Sequence, residues 1–285
     1  MIELLQERLE RYEISDSAQQ EQALKEILQE LILYALWRND FFEVAAFQGG
    51  TCLRILYGLP RFSEDLDFIL CSPDPEFRWS KILSGVAQVL QEFGVVVELA
   101  DRSRADRAVQ MAMLKDDSLG GRLDLRFADS APGRKLRVKL EVDTNPPTGS
   151  GWEQRFHDFP TDFQLQLQDL PSNFALKLHA LLCRPYVKGR DWYDLLWYVR
   201  RSTLPNLEHL EHALNQYGPW AGEKVRVDGQ WLHEALTRKI KALDWSDAAR
   251  DVAPFLRPTE RHGLKLWGVE LFVDRTEKLV ALLDR

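Results

Sequence analysis

Leu24, Ile27, Leu28, Leu31, Ile32 and Ala35 recur at the three- and four-residue spacing that lines one face of a helix. They predict a helix over residues 17–38, behind a shorter helical lead-in over residues 1–12. A strand is expected from Leu66 to Leu70, broken off by Pro73 and Pro75, and then a helix from Phe77 to Phe93. Alternating or β-branched runs predict strands at Val95–Leu99, Ala108–Leu114, Arg122–Phe127 and Leu136–Val142, with Pro132 and Gly133 turning the last pair. Thr144–Gly151 combines proline, glycine and hydroxyl residues that neither pack nor repeat, and is the best linker candidate. A short segment runs on to Leu170. Beyond Pro171 the period is helical, over Ser172–Arg184, Asp191–Arg201, Leu207–Tyr217, Gln230–Leu243 and Leu264–Leu283. The expected fold class is α+β: a mixed β-sheet domain with helices over residues 1–170 and a C-terminal helical bundle over residues 171–285, with the active site between them.

The chemistry concentrates in residues 48–68. Asp65 and Asp67 are two apart, and a strand alternates its side chains, so both carboxylates are expected on one side of the sheet. Two adjacent negative charges either share a proton or hold a hard divalent cation such as Mg2+. Gly49 and Gly50 lack a Cβ, which lets a phosphate approach the backbone. Thr51 is expected to cap a helix that ends at Gly58 and Pro60, with its positive end toward the anion. Arg61 and Ser63 lie in the loop that returns the chain to the strand. Singly these signals are weak, because an Asp-x-Asp triplet is commonly a solvated pair and Gly-Gly commonly a turn, as expected at Gly120-Gly121. In this order they point to a site for a metal and a triphosphate.

Further along, Lys139, Glu141 and Asp143 share one face of a strand and offer a third carboxylate, unless Glu141 merely pairs with the neighbouring lysine. Lys177 lies close to the buried side of its helix, where a lysine ordinarily snorkels to solvent. Asp191 and Asp194 stand at a helix start, where the dipole stabilises carboxylates whatever their function.

The stretch from Gly49 to Phe68, GGTCLRILYGLPRFSEDLDF, resembles the AbiEii/AbiGii toxin family of nucleotidyltransferases, within the polymerase beta-like nucleotidyltransferase superfamily. A second family block is matched by Lys177-Leu-His-Ala-Leu-Leu and by Arg190-Asp-Trp-Tyr-Asp194-Leu. The resemblance implies a nucleotidyltransferase-like sheet domain and an enzyme that moves an NMP from an NTP to an acceptor, releasing pyrophosphate. It favours Glu141 over Asp143 as the third metal ligand, giving Asp65, Asp67 and Glu141 around Mg2+ (or Mn2+). It implies that Lys177 reaches the nucleotide phosphates, that Arg190 binds phosphate, and that Asp191 or Asp194 positions or deprotonates the acceptor hydroxyl. The implied catalytic set is thus Asp65, Asp67, Glu141, Lys177 and Asp191. The implied nucleotide-binding set is Gly49, Gly50, Thr51, Arg61, Ser63, Lys177 and Arg190. It further implies the toxin of a toxin–antitoxin or abortive-infection system, an RNA acceptor at the tRNA 3′ end, and a cognate antitoxin whose direct contact is not assumed. A small-molecule or protein hydroxyl as acceptor, or an inactive nucleotide-binding module, are the competing readings; the intact aspartate pair argues against the last.

With 285 residues the chain can bury one large core or two modest ones. It has no apolar run long enough to span a bilayer and no secretory pattern at its start, so no membrane partner and a cytoplasmic location are expected. Cys52, Cys71 and Cys183 show no pairing or zinc spacing, and His209 and His212 read as an exposed helical pair. The net charge of −7 argues against coating of the whole surface by nucleic acid. It leaves room for a local basic border, for which Arg102, Arg104 and Arg107, then Arg134, Lys135, Arg137 and Lys139, then Arg184, Lys188 and Arg190 are the candidates.

Overall fold

A computed structural model describes residues 1–104, 107–127 and 135–283 of the chain. The expected turn at Pro132 and Gly133, and Arg134 of the second basic cluster, lie outside the described residues. The chain forms two compact units. The first comprises Met1–Gly58, Phe62–Pro146 and Glu153–Leu167; the second comprises Leu59–Arg61, Pro147–Trp152 and the chain from Gln168 onward. Among the described residues no helix is long and apolar enough to cross a membrane.

The first unit is a mixed sheet with helices, as expected of an α+β chain. Its strands are β1 (Ala45–Gln48), β2 (Leu66–Leu70), β3 (Val97–Asp101), β4 (Val109–Asp116), β5 (Leu136–Asp143), β6 (Trp152–His157) and β7 (Phe163–Gln168), in the order β3-β4-β5-β2-β1-β7-β6. The helices are α1 (Ile2–Glu10), α2 (Ser17–Arg38), α3 (Gly49–Tyr57) and α4 (Ser80–Glu92). Strand β2 is central, antiparallel to β1 and parallel to β5. Its Phe68 packs edge-on to Phe41 at 4.9 Å between centroids and lies near Phe47 and Trp79, so one face of β2 is aromatic core. Alternation then sends Asp67 to the opposite face.

Helix α2 is buried over most of its length, including Glu26, Gln29 and Glu30. Its carboxylates survive burial because each is matched: Glu26 accepts from Arg54 at 2.8 Å, and Glu30 pairs with Arg8 and with His157 at 3.0 Å.

The run Arg122–Phe127, expected as a strand, forms turns and bends. Its backbone groups are taken by side chains of the N-terminal helices. Gln20 bonds both the NH and the carbonyl of Phe127 at 3.1 Å, and Gln6 accepts from the Asp124 NH. Conversely, the short segment running on to Leu170 contains two strands, β6 and β7.

The second unit is helical: α5 (Leu170–Cys183), α6 (Gly189–Arg200), α7 (Leu207–Gln216), α8 (Gly229–Lys241), α9 (Trp245–Val252), α10 (Pro258–Arg261) and α11 (Val269–Leu283). Trp245 stacks on Phe272 at 4.0 Å with Trp192 edge-on to both, and Phe174 stacks on Tyr198 at 4.2 Å. These contacts hold α5, α6, α9 and α11 together. The helix expected from Leu264 starts only at Val269, after a short 3-10 segment over His262–Leu266. His209, expected on an exposed face, is buried: its Nδ1 meets the Thr148 carbonyl at 2.8 Å and its Nε2 meets the Gln168 amide at 3.1 Å.

Candidate active site

The site residues of the sheet unit are placed by three adjoining elements. Helix α3 opens at Gly49, which adopts φ +76°, and its N-cap residue Gln48 makes no side-chain capping bond. Its leading NH groups lack an intrahelical acceptor, as at the start of any helix. A Cβ at Gly49 would stand 2.5 Å from Asp67 Oδ2, so the glycine is what lets the backbone lie against that carboxylate.

Thr51 is not the cap expected of it. It lies inside the helix, fully buried, and its hydroxyl donates to the carbonyl of Asp65. Gln29 of α2 donates to the two preceding carbonyls, Ser63 at 3.2 Å and Glu64 at 2.8 Å. Three consecutive carbonyls before β2 are thus pinned by two buried side chains. Ser63 is half-buried within this loop. Gln29 drew no attention in the sequence; the available signal was a polar residue in an apolar helical stretch between Leu28 and Leu31.

Asp65 stands just before β2 and Asp67 inside it. Glu141 of β5 is the register partner of Asp67, while Asp143 pairs two residues further along with Ile69. Glu141 is therefore the carboxylate level with the aspartates. Burial pushes the Asp143 carboxyl up from its ordinary value, against a hydrogen bond from the Asn145 NH at 2.9 Å.

Lys139 Nζ lies 3.3 Å from Asp65 Oδ2 and 3.0 Å from Glu141 Oε2. Burial works against the lysine's charge, but Asp65 and Glu141 outweigh it and its pKa is raised. Among the described residues no three acidic, His or Cys side chains stand together as a metal-holding group. The expected set Asp65, Asp67 and Glu141 shares neighbouring strand positions, with an ammonium between two of its members.

The helical unit gathers the second block into a buried ion-pair network. Lys177 Nζ lies 3.1 Å from Asp191 Oδ1 and 2.9 Å from Asp194 Oδ2, and Arg184 pairs with the other oxygen of Asp191. Arg61 is 2% exposed and grips Asp194 with two parallel bonds of 2.7 Å. Burial opposes the charge of Lys177, yet Asp194 and Asp191 raise its pKa overall. Burial likewise opposes the charge of Asp191, but Lys177, Arg184 and Lys188 hold its carboxyl below the ordinary range.

Two residues expected at the site have ionic partners within the helical unit. Arg61, assigned to the nucleotide, is committed to Asp194 inside the helical unit. Asp191, assigned as a candidate base, has both oxygens engaged by cations and a depressed pKa, which makes it a poor proton acceptor and a good anchor for Lys177. The Arg190 backbone NH donates to Asp251 at 3.3 Å, and its guanidinium lies 4.2 Å over the Phe255 ring. A cavity of about 680 Å3 in the same unit, lined by Tyr193, Trp197, Leu264, Trp267 and Leu271 among others, contains none of the expected site residues.

Comparison with known proteins adds an independent finding. The model of the family described as nucleotidyl transferase AbiEii toxin, type IV TA system, matches residues 31–275. No curated protein matches the chain. Among solved structures, a protein from H. pylori proposed as a nucleotidyltransferase aligns with 16% identity and a TM-score of 0.48, covering 95% of each chain. JHP933 from Helicobacter pylori aligns with 17% identity and the same TM-score of 0.48, covering 95% of this chain and 92% of that one.

Proposed function

The chain belongs to the AbiEii nucleotidyl transferase toxins of type IV toxin–antitoxin systems, and from that premise we propose that it transfers an NMP from an NTP to an RNA acceptor, the 3′ end of a tRNA. In that reaction the acceptor oxygen bonds to the α-phosphorus, the bond to the bridging oxygen breaks, and pyrophosphate leaves with the electron pair while the hydroxyl proton passes to solvent. The observation that carries the reading is the juxtaposition of Asp67 with Gly49 on one side and with Glu141, its register partner, on the other. Phosphate binding at the α3 N-terminus and acidic side chains at the end of a central strand are what a triphosphate and its counter-ion require.

The side chains fit a divalent ion by donor chemistry: Asp65, Asp67 and Glu141 supply hard oxygen donors on adjoining strands, and we assign Mg2+ (or Mn2+) to them. Such an ion, when bound, neutralises the charge that develops on the reacting oxygens. Gly49 and Gly50 bind phosphate through backbone NH groups. Lys177 supplies a fixed positive charge for the phosphates, held in place by Asp191 and Asp194. Arg61 acts through Asp194 as a positioning residue. The family also implies a cognate antitoxin.

The acceptor is identified by incubating the protein with each α-labelled NTP and separate pools of total RNA, cell protein and small metabolites. Label is expected in the tRNA fraction. Label confined to protein or to small molecules contradicts the RNA reading while leaving nucleotidyl transfer intact.

A further inference from the structure

Lys139 has no part in the transfer as derived above, yet its ammonium stands against both Asp65 and Glu141. Strand alternation sets it on the same face as Glu141, and from β5 it reaches across to Asp65 beside β2. Its ammonium thereby joins two of the three carboxylates assigned to the metal. We propose that Lys139 is a built-in counter-ion, which occupies the carboxylate face until a divalent cation displaces it and so sets the cation concentration at which that face fills. The inference rests on the metal reading of Asp65, Asp67 and Glu141.

Two features argue for it. Carboxylates on adjacent strands repel one another, and a single ammonium 3.3 Å from Asp65 and 3.0 Å from Glu141 relieves that repulsion without an external ion. The Lys139 side chain also retains 27% exposure, so it has a route to solvent when displaced. A partly exposed lysine pair is weak enough to be exchanged for a divalent ion, and a flexible stem with a compact charge suits departure better than a planar guanidinium would.

Mn2+ binding to the nucleotide-free protein, read from the electron paramagnetic resonance signal of the free ion, tests this without reference to activity. Lys139→Met removes the competitor, and its Mn2+ affinity is expected to rise about tenfold, the size typical of changes beside a metal ligand. Lys139→Arg keeps the charge and is expected to stay with the wild type. In EDTA the Lys139→Met protein should melt below the wild type and regain the difference when Mn2+ is added, which also establishes that it is folded. Equal Mn2+ affinity in all three proteins, or weaker binding by Lys139→Met, overturns the counter-ion role alone. Absence of Mn2+ binding in all three overturns the metal reading and the inference with it.

Discussion

At Gly49 the lack of a single methyl group decides where Asp67 stands. The residue has φ +76°, and a Cβ would come within 2.5 Å of the Asp67 carboxylate. Gly49→Ala therefore meets two penalties, a left-handed backbone that costs an L-residue about 1–2 kcal/mol and a displacement of the carboxylate it touches. Misplacement of a reacting group by an ångström lowers rates by about a hundredfold, so NMP transfer is expected to fall by that order while circular dichroism stays native. A variant that kept full activity would remove Asp67 and its glycine from the account. Thr51 and Gln29 act at the same scale by fixing the carbonyls of residues 63–65, which leaves the approach to β2 little freedom.

Among elements, the link between the loop at residues 59–61 and helix α6 rests on Arg61 and Asp194. Removing one partner of a buried, doubly hydrogen-bonded pair leaves the other charge unmatched and costs about 3–5 kcal/mol. Arg61→Met is expected to lower unfolding stability in urea by that amount, and the double variant Arg61→Met with Asp194→Leu to recover much of it. Unchanged stability with a raised KM for NTP would return Arg61 to the nucleotide.

The sequence could not reveal this partner, because the two residues are 133 positions apart and nothing local marks a buried ion pair. What was legible was contiguous. The glycine pair, the short helix and the aspartates stand within twenty residues, and the stripe of α2 and the alternation of β5 show their periods plainly. The four residues of β1 are too short to show a period. In β7 Phe163, Leu165 and Leu167 alternate with glutamines, a period-two signal that the sequence does carry. Arg122–Phe127 failed in the other direction, since Gln6 and Gln20 supply the hydrogen bonds a neighbouring strand would have given.

For the whole molecule, the net charge of −7 means that an RNA acceptor must be drawn in locally rather than by the general field of the protein. The central claim is that nucleotidyl transfer by this chain depends on Asp67 and on Lys177. The most direct test is the rate of pyrophosphate release from NTP with saturating Mg2+ and total RNA, compared among the wild type, Asp67→Asn and Lys177→Met, each checked for a native melting transition. Both folded variants are predicted to lose about a hundred- to a thousandfold of the wild-type rate, as expected when a charge-stabilising group is removed from a transfer site. A folded Asp67→Asn or Lys177→Met protein that released pyrophosphate at the wild-type rate would contradict the claim.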